Sequence, residues 1–181
     1  MKNKENAVLA VGIVAMLGLV IATLMPGGSL LQKVLFVIGV PTLAGVAYFN
    51  KQKMYIVLQS VATISAVLAF WSLPQIFKYI VFIGAATIGI VYLIKIGYSK
   101  EDKYWSIGAL GLLCIAVGLA TDATTQPLIF NALLGLGGIF ISVYSAIGLF
   151  CLKIKIAALW LVLNICFSIG PMLFVFSTLF R

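Results

Sequence analysis

Long apolar runs fill almost the whole of this chain. Seven can be drawn, at about 7–25, 30–49, 54–71, 76–96, 104–121, 128–151 and 156–180. Each is closed by a turn signal or by charges: Pro26-Gly27-Gly28, Asn50-Lys51-Gln52-Lys53, Trp71-Ser72-Leu73-Pro74, Gly97, Asp122 to Pro127, and Lys153 with Lys155. A membrane-crossing helix needs roughly 20 mostly apolar residues. The strands of a membrane barrel would instead alternate apolar with polar residues. The runs are continuous, so a barrel is rejected. Hydrophobic residues make up 64% of the chain and charged ones 9%, against roughly 25% charged in soluble domains. The expected fold is therefore all-α: a polytopic integral membrane protein with seven transmembrane helices in a single domain over residues 1–181. Soluble enzymes, disordered tails and disulfide scaffolds are excluded.

Met1-Lys2-Asn3-Lys4 could open a signal peptide. The apolar run behind it is longer than a usual signal core, and no small-x-small cleavage site precedes Pro26. A retained helix is expected. The net charge of +8 lies in short loops rather than in a basic stripe with exposed aromatics, so no nucleic acid is expected. Lys2, Lys4, Lys51, Lys53, Lys95, Lys100, Lys103, Lys153 and Lys155 fall on one side, and Lys33, Lys78 and Arg181 on the other. Basic loops stay cytoplasmic, which predicts a plasma-membrane protein with its N-terminus inside and its C-terminus external. Tyr48, Tyr55, Trp71, Tyr104 and Trp105 stand near run ends, where rings favour the headgroup layer.

The chain has no histidine, and its acids, Glu5, Glu101, Asp102 and Asp122, all fall in a tail or a loop. The charges are thus expected to report orientation and little else. Cys114, Cys151 and Cys166 form no CxxC pair and read as buried thiols. Intramembrane acid–base catalysis, a metal site or a histidine-bound haem has no residues to build on. Lys95 is too near a run end to hold retinal. We expect no enzyme activity and no cofactor.

Some residues recur. At an offset of 98, Ala22-Thr23 falls on Ala120-Thr121, Leu30 on Leu128, Leu35 on Leu133 and Gly39 on Gly137. Lys51 and Lys53 fall on Lys153 and Lys155 with a few residues of slip. At an offset of 105, Gln59 and Thr63 fall on Asn164 and Ser168. Two parallel three-helix repeats, 7–71 and 104–180, joined by a linker helix at 76–96, would produce these matches. So would chance among apolar runs.

Gln59 with Thr63, and Asn164 with Ser168, are each spaced i, i+4 and share a helix face. Trp160 and Pro171 extend the second face. Gln59, Thr63, Trp160, Asn164 and Ser168 form a candidate solute site, with Trp160 stacking a neutral solute. Alternatively, the amides hydrogen-bond neighbouring helices. Pro41, inside the second run, is a candidate hinge or gate. Asn131, Ser142, Tyr144 and Ser145 line a candidate cavity or bond to their own helix backbone. Small residues at Gly18 with Ala22, at Ala62, Ala66 and Ala69, at Ala85 with Gly89, and at Gly135, Gly137 and Gly138 favour close helix packing.

This layout resembles the SWEET and PnuC group of seven-helix transporters, and a small bacterial inner-membrane family called YgjV-like. The resemblance implies a 3-1-3 arrangement with a solute path between two triple-helix bundles. Asn164 resembles the sugar-holding asparagine of the second SWEET bundle, and Gln59 stands where the first would be. Pro74-Gln75 lies in a turn, Pro41 is the only clear proline inside a helix, the orientation is opposite to that of SWEET proteins, and the PnuC tryptophan motif is missing. With no ionisable group expected inside a span, the expected function is passive, uncoupled transport of a small neutral polar solute. The rival expectation is a non-catalytic structural or accessory subunit that packs or homo-oligomerises through its small-residue faces. The lipid bilayer is the expected partner in both.

Overall fold

The computed structural model describes residues 2–25, 29–68, 70–71 and 73–180, with the side chains of residues 2–5 left aside. The Pro26-Gly27-Gly28 turn, Ala69, Ser72, Arg181 and the Lys2 and Lys4 side chains therefore lie outside the described parts. The described chain is all helix and loop. Its elements are α1 (Lys2–Leu24), α2 (Leu30–Phe49), α3 (Lys53–Leu68), α4 (Gln75–Lys95), α5 (Tyr98–Glu101), α6 (Trp105–Ala120), α7 (Pro127–Phe150) and α8 (Ala157–Leu179).

Each apolar run thus becomes one helix, and the polar loop after Gly97 adds a single short turn, α5. Five helices are long and apolar enough to cross a membrane: α1 from Asn6 onward, α2, α4, α7 and α8. Helices α3 and α6 have 16 residues each, about 24 Å at the α-helical rise, and fall short of the expected length. Local chemistry stops them. Leu73 precedes Pro74, and a residue before proline is driven out of the helical region, so the chain cannot run on from α3 into α4 as one helix. Asp102 accepts the backbone N–H of Tyr104 at 2.8 Å and so delays the start of α6. Thr121 turns extended and closes α6.

The helices form a ring in which neighbours touch in the order α1, α2, α3, α6, α7, α8 and back to α1. Helix α4 packs on α3 and α6, across the seam between them. Within each triple the middle helix touches both of its companions. Glycine permits the closest approach: a Cβ on Gly137 would lie 2.9 Å from the Gly111 carbonyl oxygen, at the α6–α7 crossing. Gly39 meets Leu19 at the α1–α2 crossing in the same way. Gly135 and Gly138 receive Met172 and Ser168 from α8. Of the small residues expected to pack closely, Gly135, Gly137 and Gly138 do so at these crossings, and Gly89 of α4 meets Val57 of α3.

Large apolar side chains point outward along the ring, Leu24, Ile38, Ile88, Phe150 and Phe180 among them, as a bilayer solvent would select. Pro41 also faces outward, and α2 runs through it unbroken. Pro171 lies inside α8, so Pro41 is not the only intrahelical proline.

Candidate functional site

Helices α3 and α8 both start from the lysine-rich end of the ring. Their faces meet where Tyr55 stacks on Trp160, with centroids 4.2 Å apart and planes inclined by 13°. One turn further on stand Gln59 and Asn164, and a turn beyond them Thr63 and Ser168. The i, i+4 spacing therefore sets the candidate residues on the α3 and α8 faces that come together at this stack. Trp160 is fully buried and Gln59 only 4% exposed.

Their hydrogen bonding is uneven. Asn164 donates its amide to the Trp160 carbonyl at 2.8 Å. The Thr63 hydroxyl donates to the Gln59 carbonyl at 2.7 Å, and Ser168 to the Asn164 carbonyl at 2.6 Å. These three side chains satisfy themselves on their own helices, the arrangement that hydroxyl and amide groups commonly adopt in apolar surroundings. The Trp160 indole N–H is different: it is buried with no hydrogen-bond partner among the described residues. Gln59 is a buried residue, but its amide is not among the enclosed polar atoms left without a partner. Leaving a buried polar group unpaired costs about 1–3 kcal/mol. The ring face of Trp160 that was expected to stack a solute is stacked on Tyr55.

Tyr55 itself departs from expectation. Its place near a run end suggests the headgroup layer, yet it is 2% exposed. Its hydroxyl donates to Ser145 of α7 at 2.9 Å, and its ring lies 5.6 Å from that of Tyr144. Tyr48 and Trp71, by contrast, are exposed as expected.

Beside this stack is a polar cluster that the sequence gives little sign of. Asp102, in the loop after α5, is 7% exposed. Its Oδ2 accepts the Tyr144 hydroxyl at 2.6 Å and the Tyr98 hydroxyl at 3.2 Å, and the two phenols also bond to each other. Burial pushes the Tyr98 phenol up to about 12, the neighbouring Asp102 charge adding to the rise. Next in sequence to Asp102, Glu101 receives the Lys53 ammonium at 2.8 Å. Of the polar residues on α7, Asn131 and Ser142 bond to their own helix, while Tyr144 and Ser145 reach other elements.

Two grooves are open to the outside. One, of about 290 Å³, is lined by Ile139, Ser142 and Val143 of α7 and Ile165, Ser168 and Ile169 of α8, so the candidate residue Ser168 borders it. The other, of about 340 Å³, lies between Val8 and Val11 of α1 and Gly45 and Phe49 of α2. Both linings are largely apolar. Among the described residues no group of histidine, cysteine and acidic side chains is placed to hold a metal ion. No family model, curated protein or solved structure matches this chain.

Proposed function

We propose that the chain is a seven-span membrane carrier that passes a small neutral polar solute between its two triple-helix units. The observation that carries this reading is the Trp160 N–H, buried with no hydrogen-bond partner among the described residues, on the helix face that also bears Asn164 and meets α3 one turn from the buried Gln59. A bound hydroxyl or carbonyl would accept from the indole, and the Gln59 amide can both donate and accept. No acid or base stands among Gln59, Thr63, Trp160, Asn164 and Ser168, which suits an uncharged solute and passive movement.

Connectivity supports seven spans. Helix α2 ends beside Lys51 and α4 ends at Lys95, so α3 must cross between the two ends of the ring. Helix α6 crosses for the same reason, between the Asp102 loop and the start of α7. Local thinning of the bilayer accommodates helices of this length. The excess of lysine at one end supports a cytoplasmic N-terminus and an external C-terminus in the plasma membrane.

A repeat is supported by paired details. Exchanging α1, α2 and α3 for α6, α7 and α8 turns the α1–α8 contact into α6–α3 and leaves the ring unchanged. Ala22 and Ala120 each give their carbonyl to a glutamine amide from another helix, Gln32 and Gln75. Thr23 and Thr121 each bond back to a valine carbonyl. Lys51 and Lys153 both adopt positive φ, at 55° and 56°. Tyr55 and Trp160 are themselves 105 residues apart, the offset that relates Gln59 to Asn164. The likeness to the 3-1-3 transporters rests on these positions.

The self-bonded Asn164 and the apolar grooves favour a second reading, a structural or accessory subunit that homo-oligomerises through its small-residue faces. Uptake into proteoliposomes over a panel of sugars, nucleosides and vitamins separates the two. The carrier reading expects saturable uptake of at least one neutral solute, unchanged by a pH or sodium gradient and lost in Gln59→Leu. Absence of uptake across the panel by folded protein favours the subunit. Strong dependence on a gradient overturns uncoupled transport.

A further inference from the structure

The lysine-rich end of the ring is fastened by two adjacent residues of the α4–α6 connection. Glu101 holds Lys53 at the first residue of α3, with oxygen distances of 2.8 and 3.1 Å. Asp102 holds Tyr144 near the end of α7, and shares it with Tyr98. One dipeptide therefore grips both triples at once. Between its two attachments lies Tyr55, which reaches from α3 to Ser145 on α7 and to Trp160 on α8. Tyr55 stands one helical turn from Gln59, on its lysine-rich side.

We propose that Glu101-Asp102 is a tie that keeps the lysine-rich end shut and releases when the Gln59–Trp160 site opens on that side. As regulation of that site it rests on the carrier reading, while its closing action can be read without any transported solute. Parting α3 from α7 at this end stretches both attachments, because α5 has only four residues and touches α4 and α6. The two attachments differ in strength. The Lys53–Glu101 pair is exposed, and such pairs contribute little. The Asp102–Tyr144 bond is buried and charge-assisted, which makes it the stronger hold.

The test uses the full chain in detergent, with its three cysteines replaced by alanine and a single Ser145→Cys introduced. Ser145 is fully buried beside Tyr55, so its reaction with a water-soluble maleimide reports opening of this end. The expected result is slow labelling with the tie intact and labelling about tenfold faster in Asp102→Ala. Glu101→Gln should give a rise of about twofold or less. Equal labelling of Asp102→Ala and its folded parent overturns the proposal. Should Asp102→Ala fail to fold, Asp102→Asn keeps the side-chain volume and removes the charge, and labelling of that protein should still rise several-fold. An unchanged rate overturns the tie. If no solute is carried by the parent but labelling responds as expected, the tie stands and the carrier reading falls.

Discussion

Single residues divide here into those that satisfy themselves and those that do not. Thr63, Asn164 and Ser168 close their hydrogen bonds within one helix turn, so truncating them leaves no group on another helix without its hydrogen bond. Gln59 is a polar residue buried to 4% exposure in apolar surroundings, and its side chain shows no hydrogen bond among the described residues. Replacing it by leucine of similar volume removes the buried polar group, and the expected outcome is a gain of about 1 kcal/mol. Thermal unfolding in detergent should show Gln59→Leu melting above the parent even as uptake is lost. A fall in melting temperature would mean that the amide contributes to stability after all. Trading stability for a working polar group is common at binding sites.

The sequence discloses residues and elements unequally, and the reason is physical. The apolar runs are local signals, and the helices begin and end within a few residues of them. Gln59 and Asn164 stand out because amides are rare in such runs. Asp102 does not stand out, because Ser99-Lys100-Glu101-Asp102-Lys103 has the composition of a solvated loop. Glu101 and its lysine neighbours behave as that composition suggests. Asp102 is buried by Tyr144, which lies 42 residues away, a separation that no local pattern reports. The faint signal was on α7: adjacent Tyr144 and Ser145 in a helix otherwise almost wholly apolar at that end.

At the level of elements, the tightest fit is between α6 and α7, where Gly111 and Gly137 bring two backbones together. Gly137→Ala would place its new carbon 2.9 Å from the Gly111 carbonyl oxygen and 2.9 Å from the Ile115 nitrogen. Both are backbone atoms and cannot swing aside, so the helices must separate. A loss of about 1–3 kcal/mol is expected, read as a lower unfolding temperature. Gly45→Ala is the control, since nothing lies within 4 Å of its added carbon, and it should leave stability unchanged or slightly raised by the better helix former. Equal effects from the two substitutions would show that the α6–α7 crossing yields more readily than its geometry implies.

For the whole molecule, the arrangement of lysines makes a prediction about direction. On the proposed seven-span reading, a cytoplasmic N-terminus leaves the C-terminus outside. A reporter active only outside the cytoplasm, fused after Arg181, should be active, and the same reporter inserted after Lys51 should be silent. The reverse pattern would invert the molecule and overturn the orientation assigned to its lysine-rich end.

The place of α4 has a mechanical consequence. Helix α4 braces the α3–α6 seam, while among the described residues the opposite seam, α1 against α8, has no such brace and rests on contacts such as Leu159 over Gly12. A closed ring stiffened on one side only behaves like a book with its spine along α4, and its pages part at the fore-edge.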